Sequence, residues 1–270
     1  MRTLAWNCRG AGRAPTVRSL GSIIRNSNPD LVFLPETKIK ATRVEKIRVK
    51  LNFVDYFCVD ANGRSGGLAI LWRQGMELEV VYSSRYVIAA LIYSDPPRSP
   101  WLFFFVYGPP SRAKRKQFWE LMESMVSSYS GPWAMMGDFN SIKNAGEKRG
   151  GKPVSESSVN NIRTFITNSA AIDLGFKGPP FTWTNKREGL ANIKERLDQC
   201  LCNQEWQMIF PKDGVTHLCA TNSDHSPILL DTNFEDEKIN RPFRFEAMWT
   251  KDESSREVVD KAWQLQVGGS

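Results

Sequence analysis

Between residues 53 and 107 the chain reads as one apolar strand after another with no helical periodicity between them, and this narrows the available folds more than any other feature. Gly66-Gly67 opens Leu68–Trp72, Glu77–Ser83 follows, then Tyr86–Tyr93, then the run Trp101–Tyr107, with Pro96-Pro97 marking one turn. On either side, helices interrupt the strands. Val17, Leu20, Ile23 and Ile24 place an amphipathic helix over 16–25, ended at Asn28-Pro29-Asp30 because a residue before proline avoids the α region. Leu31–Leu34 reads as a buried strand, and Val44, Ile47 and Leu51 mark a second helix. Residues 112–129 form a third, with Phe118, Leu121, Met122, Met125 and Val126 on one face. Trp133–Met136 is another buried strand, and Ser158–Ser169 is a helix through Val159, Ile162, Phe165 and Ile166. Short strands return at Ala171–Leu174, Phe181–Thr184, Leu197–Leu201, Val215–Cys219 and Pro227–Asp231. Clustered strands with interspersed helices predict an α/β protein of stacked layers, two central sheets flanked by helices, rather than one doubly wound parallel sheet.

The longest apolar runs, Tyr86–Tyr93 with eight residues and Trp101–Tyr107 with seven, fall short of the roughly twenty a bilayer span needs, so a membrane partner is not expected. The opening Met1–Asn7 reaches a polar residue before a secretory segment could form. Five cysteines, with only Cys200 and Cys202 close together, and two histidines argue against a zinc site and for reduced thiols in an intracellular protein. Charge is unevenly placed. Residues 1–50 hold eleven Lys and Arg against three Asp and Glu, a net +8 in a chain whose total is +7. A positive end suits a polyanion, nucleic acid above all, although two solvated helices with basic outer faces would give the same count. From residue 232 the text changes to the charge run Glu235–Lys238 and one isolated amphipathic stretch, Arg256–Gln266. We therefore expect a folded domain over 1–231, with 232–270 a linker and the start of a further, truncated region.

Several strand ends carry side chains suited to chemistry. Trp133–Met136 runs into Gly137-Asp138-Phe139-Asn140, and the alternation of side chains sends Asp138 and Asn140 out on one face. Such a pair can orient a water, or it can cap the strand as an Asx turn. Glu36, just past Leu31–Pro35, is either a Mg²⁺ ligand or a solvent-facing acid. His225 lies in Ser223-Asp224-His225-Ser226-Pro227, and its sequence neighbour Asp224 cannot orient its ring. Asp198, in Arg196-Leu197-Asp198, is a candidate to do so, or else pairs with Arg196 or Lys194. His217 and the two close cysteines read as structural. Asn7 and Tyr107 complete the set of strand-end groups. No serine or cysteine nucleophile is paired with a base, and there is no phosphate-cradling glycine loop. Acids, amides and one imidazole are a toolkit for metal-assisted hydrolysis of a phosphate ester.

The order and wording of these motifs resemble the endonuclease/exonuclease/phosphatase superfamily. Trp6-Asn7-Cys8-Arg9-Gly10, Pro35-Glu36-Thr37-Lys38, Val106-Tyr107-Gly108-Pro109, Gly137–Asn140, Phe181–Asn185, Arg196–Asp198 and Ser223–Pro227 are most similar to the endonuclease domain of plant LINE-type (non-LTR) retrotransposons. Arg241–Trp249 is similar to the connector before the reverse transcriptase in such elements, and no polymerase motif follows. The resemblance implies a DNase I-like four-layer α/β sandwich with two central mixed sheets, and a Mg²⁺-dependent (or Mn²⁺-dependent) endonuclease that nicks DNA in the nucleus without an obligate protein partner. A phosphatase or exonuclease of the same superfamily, or an inactive nucleic-acid binder, is the alternative. It further implies that Glu36 binds the metal with Asp224 in or beside its shell, that Asn7 orients metal and phosphate, and that Tyr107 meets the phosphate or the leaving oxygen. Asp138 and Asn140 would hold the attacking water, and His225, oriented by Asp198, would stabilise the pentavalent phosphorus. Thr182 would hydrogen-bond near the phosphate, and the basic loop with Lys186, Arg187 and Lys194 would lie along the DNA. Three positions depart from the pattern. Arg9 stands where apurinic endonucleases carry an acid, Pro35 precedes the metal-binding glutamate, and Pro110 replaces an asparagine.

Overall fold

The computed structural model describes residues 1–63, 65–219 and 223–234. The charge run at 235–238 and the helix expected at Arg256–Gln266 lie outside the described residues. The chain begins β1 (Arg2–Ala5), α1 (Ala14–Ser27), β2 (Leu31–Pro35), α2 (Ala41–Lys50), β3 (Asp55–Val59) and β4 (Leu68–Trp72). It continues through β5 (Leu78–Ser83), β6 (Val87–Ser94), β7 (Pro97–Tyr107), α3 (Arg112–Ser127) and β8 (Trp133–Asp138). The two-residue strand β9 (Lys148–Arg149) precedes α4 (Glu156–Asn168), and β10 (Ile172–Asp173), β11 (Trp183–Thr184) and β12 (Lys194–Glu195) follow. The last elements are β13 (Asp198–Cys202), α5 (Gln204–Ile209), β14 (Gly214–His217) and β15 (Ile228–Asp231).

Two six-stranded sheets result, ordered β14-β15-β1-β2-β4-β3 and β10-β13-β8-β7-β6-β5. Each is mixed: β1 runs parallel to β2 and β7 parallel to β8, and the other pairs are antiparallel. The period-2 alternation of side chains sorts the core into three layers. Leu31 and Phe33 meet Phe103, Phe105 and Tyr107 between the sheets. Val32 and Leu34 face the other way, onto Val17, Leu20 and Ile24 of α1 and Val44 and Ile47 of α2. Leu102, Phe104 and Val106 pack on Phe118 and Met122 of α3 and Ile162 and Phe165 of α4. Helices, sheet, sheet, helices is the four-layer sandwich expected from the sequence.

Local chemistry explains the element ends. Asn28 closes α1 in the left-handed conformation (φ 43°), its N–H donating to the Ile24 carbonyl, and Pro29 prevents continuation. Periodicity misplaced one side chain of α3: Leu121 is exposed, and Trp119 takes the buried position, its ring against Phe139 and Phe165. An indole reaches a core from the flank of the stripe that an aliphatic side chain cannot. Gly137 (φ 140°) is required where it stands, since a Cβ there would lie 2.1 Å from the Val106 carbonyl oxygen of the neighbouring strand. Unit Met1–Phe234 is closed at its ends by Thr232 N–H donating to Met1 O (3.0 Å) and Phe234 N–H donating to Lys212 O (2.7 Å).

Candidate active site

The strand ends converge. Tyr107 and Asp138 are paired residues of the parallel β7–β8 ladder, and Asp138 is the cross-strand partner of Asp198 on β13. His225 precedes β15 and pairs with Trp183 of the small three-stranded sheet β11-β12-β9. Asn7 follows β1 and Glu36 follows β2. Thus both large sheets and the small one deliver side chains to one place.

At its centre His225, 5% exposed, has Nδ1 2.9 Å from Asp198 Oδ2 and Nε2 3.7 Å from Asp138 Oδ2. Asp138 Oδ2 accepts from Asn7 Nδ2 (2.9 Å) and Asn140 Nδ2 (3.2 Å), and its Oδ1 accepts from the Asn140 backbone N–H (2.9 Å). The sequence left open a water-orienting pair or an Asx turn, and Asp138 and Asn140 make the turn while also facing the imidazole. Burial pushes the Asp138 carboxyl up to about 7, and the nearby Asp198 charge adds to this while His225 opposes it. Burial alone would depress the His225 imidazole, but Asp198 and Asp138 outweigh it and raise it to about 9. Two acids around one imidazole therefore keep a proton in the site at neutral pH.

At the rim, Tyr107 donates its hydroxyl to Glu36 Oε1 (2.5 Å), and Lys38 Nζ lies 3.0 Å from Glu36 Oε2. Burial works to raise the Glu36 carboxyl, but the Tyr107 hydrogen bond, Lys38 and Arg9 hold it below the usual range. Burial and the Glu36 charge raise the Tyr107 phenol, which stays protonated. The departure at Pro35 does not divert Glu36: Pro35 ends β2 in register with Leu68, and Glu36 turns into the site through a left-handed φ of 51°. Arg9 (φ 49°) and Asn140 (φ 48°) share that conformation, as concentrated backbone strain at a functional site would.

Two expected site residues have partners within the protein. Asp224, expected in or beside the metal shell, accepts at Oδ2 from the Arg9 guanidinium and from Trp183 Nε1 (2.9 Å). Its carboxyl is held low, against its own burial, by His225, Trp183 and Arg9. Thr182, expected to hydrogen-bond near the phosphate, is 1% exposed, and its Oγ1 accepts from the backbone N–H groups of Leu197 (3.0 Å) and Asp198 (2.9 Å). It fixes the start of β13 from behind. Lys186 and Arg187 are exposed on the loop between β11 and β12, and Lys194 is exposed at the start of β12. Asn185 braces that loop by accepting from Ile193 N–H (3.0 Å) and donating to Ala191 O (2.9 Å). His217 is structural, stacked on Phe176 with Nδ1 2.7 Å from Pro179 O, and burial lowers it to about 4.

The sequence reading missed three supports. Trp6 Nε1 donates to His225 O (3.1 Å), Trp183 to Asp224, and Ser223 Oγ bridges Asn7 O (2.7 Å) and His225 N–H (3.1 Å). The tryptophans carried a usable signal, because a buried indole N–H needs an acceptor and both lie inside quoted motifs.

A search against family models matches residues 4–225 to the Endonuclease/Exonuclease/phosphatase family. The chain belongs to that family. Among solved structures it resembles the AP endonuclease LMAP from Leishmania major at 14% identity, with a TM-score of 0.68 over 85% of this chain and 86% of that one. The endonuclease domain of TRAS1, a telomere-specific non-LTR retrotransposon, gives 14% identity and a TM-score of 0.64 over 88% and 99%. The 3′ phosphatase NExo from Neisseria, bound to product DNA hairpin, gives 16% and 0.65 over 87% and 100%. At these identities the likeness establishes a shared DNase I-like fold. No curated protein matches the sequence.

The superfamily is divalent-metal dependent. Asp138, Asp198 and His225 are the close acid–histidine group among the described residues, their ligand atoms within 4.8 Å of one another. Asp138 Oδ2 is engaged by two carboxamides and Asp198 Oδ2 by the imidazole, as the Glu36 oxygens are by Tyr107 and Lys38. Glu36 offers hard carboxylate oxygens at the rim, and Asn7 Oδ1, bonded to the Arg9 N–H at 3.1 Å, offers a carbonyl lone pair. Carboxylate and carboxamide oxygens such as those of Glu36 and Asn7 are the donors a hard cation takes.

Proposed function

We propose that this chain is a Mg²⁺-dependent phosphodiesterase that nicks one strand of DNA and leaves a 3′-hydroxyl, and that it derives from a non-LTR retrotransposon and acts in the nucleus. The Asp198–His225–Asp138 chain is the observation that carries the reading. Asp138, fixed by Asn7 and Asn140 and raised toward neutrality, takes a proton from the attacking water as a general base tuned to working pH. The imidazolium of His225, held by Asp198, faces a phosphoryl oxygen and offsets the charge that grows there. Tyr107, protonated, turns its hydroxyl proton from Glu36 to the phosphate or the departing oxygen when substrate binds. The metal, held by Glu36 and Asn7, would supply Lewis-acid polarisation of the phosphate. The basic loop, with Lys186, Arg187 and Lys194, supports a long polyanion as substrate, and the likeness to the TRAS1 endonuclease domain supports the retrotransposon origin. Likeness to a 3′ phosphatase keeps phosphomonoester hydrolysis as the competing reading.

The test is relaxation of supercoiled plasmid with Mg²⁺, with Mn²⁺ and with chelator, beside phosphate release from 3′-phosphorylated DNA and from inositol phosphates. Nicked circles with Mg²⁺ that vanish in His225→Ala are expected. Phosphate release without nicking would replace this reading with the phosphatase.

A further inference from the structure

Hard oxygen donors stand at the rim on Asn7, Glu36 and Asp224, and one residue meets all of them. The Arg9 backbone N–H donates to Asn7 Oδ1 (3.1 Å), its guanidinium donates to Asp224 Oδ2, and its Nε lies 4.0 Å from Glu36 Oε2. Arg9 does this from a left-handed backbone (φ 49°), which a long side chain adopts only at a cost. Lys38 Nζ meets Glu36 Oε2 as well (3.0 Å), so the rim acids are balanced by cations of the same chain, and Arg9 is the cation that links the two acids. The acids are anchored independently of it. Tyr107 holds Glu36 Oε1 (2.5 Å) and Trp183 Nε1 holds Asp224 Oδ2 (2.9 Å). The Arg9 side chain is 53% exposed, against 16% for Glu36 and 11% for Asp224, so the guanidinium can leave for water without opening the core. An ion pair with one partner this exposed holds weakly. A divalent ion brings twice the charge and no side-chain entropy to lose, and it competes for the same oxygens.

We propose that Arg9 is the internal counter-ion of the rim acids, which competes with the divalent cation for Glu36 and Asp224 and so sets how much metal the site needs. The proposal rests on the phosphodiesterase reading and deepens it, because it names the group that gives way when metal enters. Without metal, Arg9 keeps two neighbouring carboxylates from repelling each other. With metal at Glu36, the guanidinium faces a cation of greater charge and turns outward, and the cost of metal binding includes the broken Arg9–Asp224 pair. Neutralising Arg9 therefore tightens the site for metal, whereas a residue that merely braced the donors would loosen it when removed.

The experiment measures Mn²⁺ binding to the full chain without DNA, by electron paramagnetic resonance of the free ion, with Mg²⁺ as competitor. Arg9→Gln is expected to tighten Mn²⁺ about tenfold, the scale of repulsion between a divalent and a single charge a few ångströms apart in water. Arg9→Ser should tighten it likewise, and Arg9→Lys, which keeps a cation, should stay within about twofold of the parent. Arg25→Gln removes an equal charge in the last turn of α1 and should also stay within about twofold, since salt screens a charge that distant. Glu36→Gln added to Arg9→Gln should abolish the gain, which locates the ion. Thermal melts without metal show that each variant is folded. Unchanged or weaker Mn²⁺ binding in both Arg9→Gln and Arg9→Ser overturns the proposal, as does an equal gain in Arg25→Gln. Either result leaves the phosphodiesterase reading intact, because plasmid nicking by the parent chain decides that separately.

Discussion

Asp138 and Asp198 are direct cross-strand partners on β8 and β13, and His225 sits with one ring nitrogen toward each. Two carboxylates at adjacent strand ends would repel if both stayed charged and bare. The imidazole resolves this by hydrogen-bonding one at 2.9 Å and facing the other at 3.7 Å. Fixing the ring from Nδ1 leaves Nε2 aimed at Asp138 and the space before it.

Asp198→Asn tests the orienting role. The amide can present its NH₂ to Nδ1, so the ring turns or changes tautomer, and the charge that raised His225 is lost. Nicking should fall roughly 10²–10⁴-fold, the range typical of acid–base participation. The imidazole titration, followed by NMR, should move down from about 9. An unchanged titration would contradict the assignment even if activity fell.

Stability should depend on pH in a defined sense. His225 is raised from 6.5 to about 9 and Asp138 from 3.8 to about 7, so in both windows the folded state binds more protons than the unfolded state. The stabilising contribution of His225 is complete below pH 6.5 and is lost as pH climbs through 9. Stability should therefore decline from pH 6.5 to 9, with a limiting slope of about 1.4 kcal/mol per pH unit for one proton. Urea midpoints measured at several pH values across this window check it, and midpoints that rise with pH would contradict it.

Much of this was legible in the chain. The strands at Leu68–Trp72 and Trp101–Tyr107 and the helices over α1, α3 and α4 follow from periodicity, because fully buried strands and amphipathic helices write distinct patterns. The convergence of Asn7, Glu36, Tyr107, Asp138, Asn140, Asp198 and His225 followed from motif order. The partners of charged groups did not. Asp198 had Arg196 two residues away as a rival to His225, and only strand pairing decides between them, since Arg196 and Asp198 flank Leu197 at the turn into β13. Strand β3, largely half-buried, and the two-residue strands β9 and β12 carry too few apolar residues to declare a period.

The loop between β11 and β12 is expected to act on DNA and not on the metal. Lys186→Ala with Arg187→Ala should reduce the salt dependence of duplex binding by about 2 in slope, by lost counterion release. Metal affinity, measured calorimetrically without DNA, should be unaltered, because Glu36 and Asn7 take their hydrogen bonds and ion pairs from Tyr107, Lys38, Arg9, Asp138 and Ser223. A changed metal affinity would mean that the loop shapes the site itself.

Arg196 makes the strongest stability prediction. Its guanidinium, 4% exposed, forks onto Asp173 (2.8 and 2.9 Å) and reaches Glu147 (2.9 Å), and Lys143 pairs with the same two acids. Its backbone N–H donates to Glu147 O (2.9 Å), so the network ties the turn before Asp198 to the segment after Asn140. Arg196→Met keeps the stem but takes the shared guanidinium from the carboxylates of Asp173 and Glu147. Breaking a buried ion network by removing one partner costs about 3–5 kcal/mol, so unfolding by urea should begin far earlier. Because the same turn carries Asp198, the imidazole titration should also shift in the folded variant. Changing Arg196, Lys143, Asp173 and Glu147 together to apolar residues should recover most of the stability, because neither a cation nor an acid of the network is then left without its partner. Failure of that recovery would place the value of the network in its geometry and not in its charge balance.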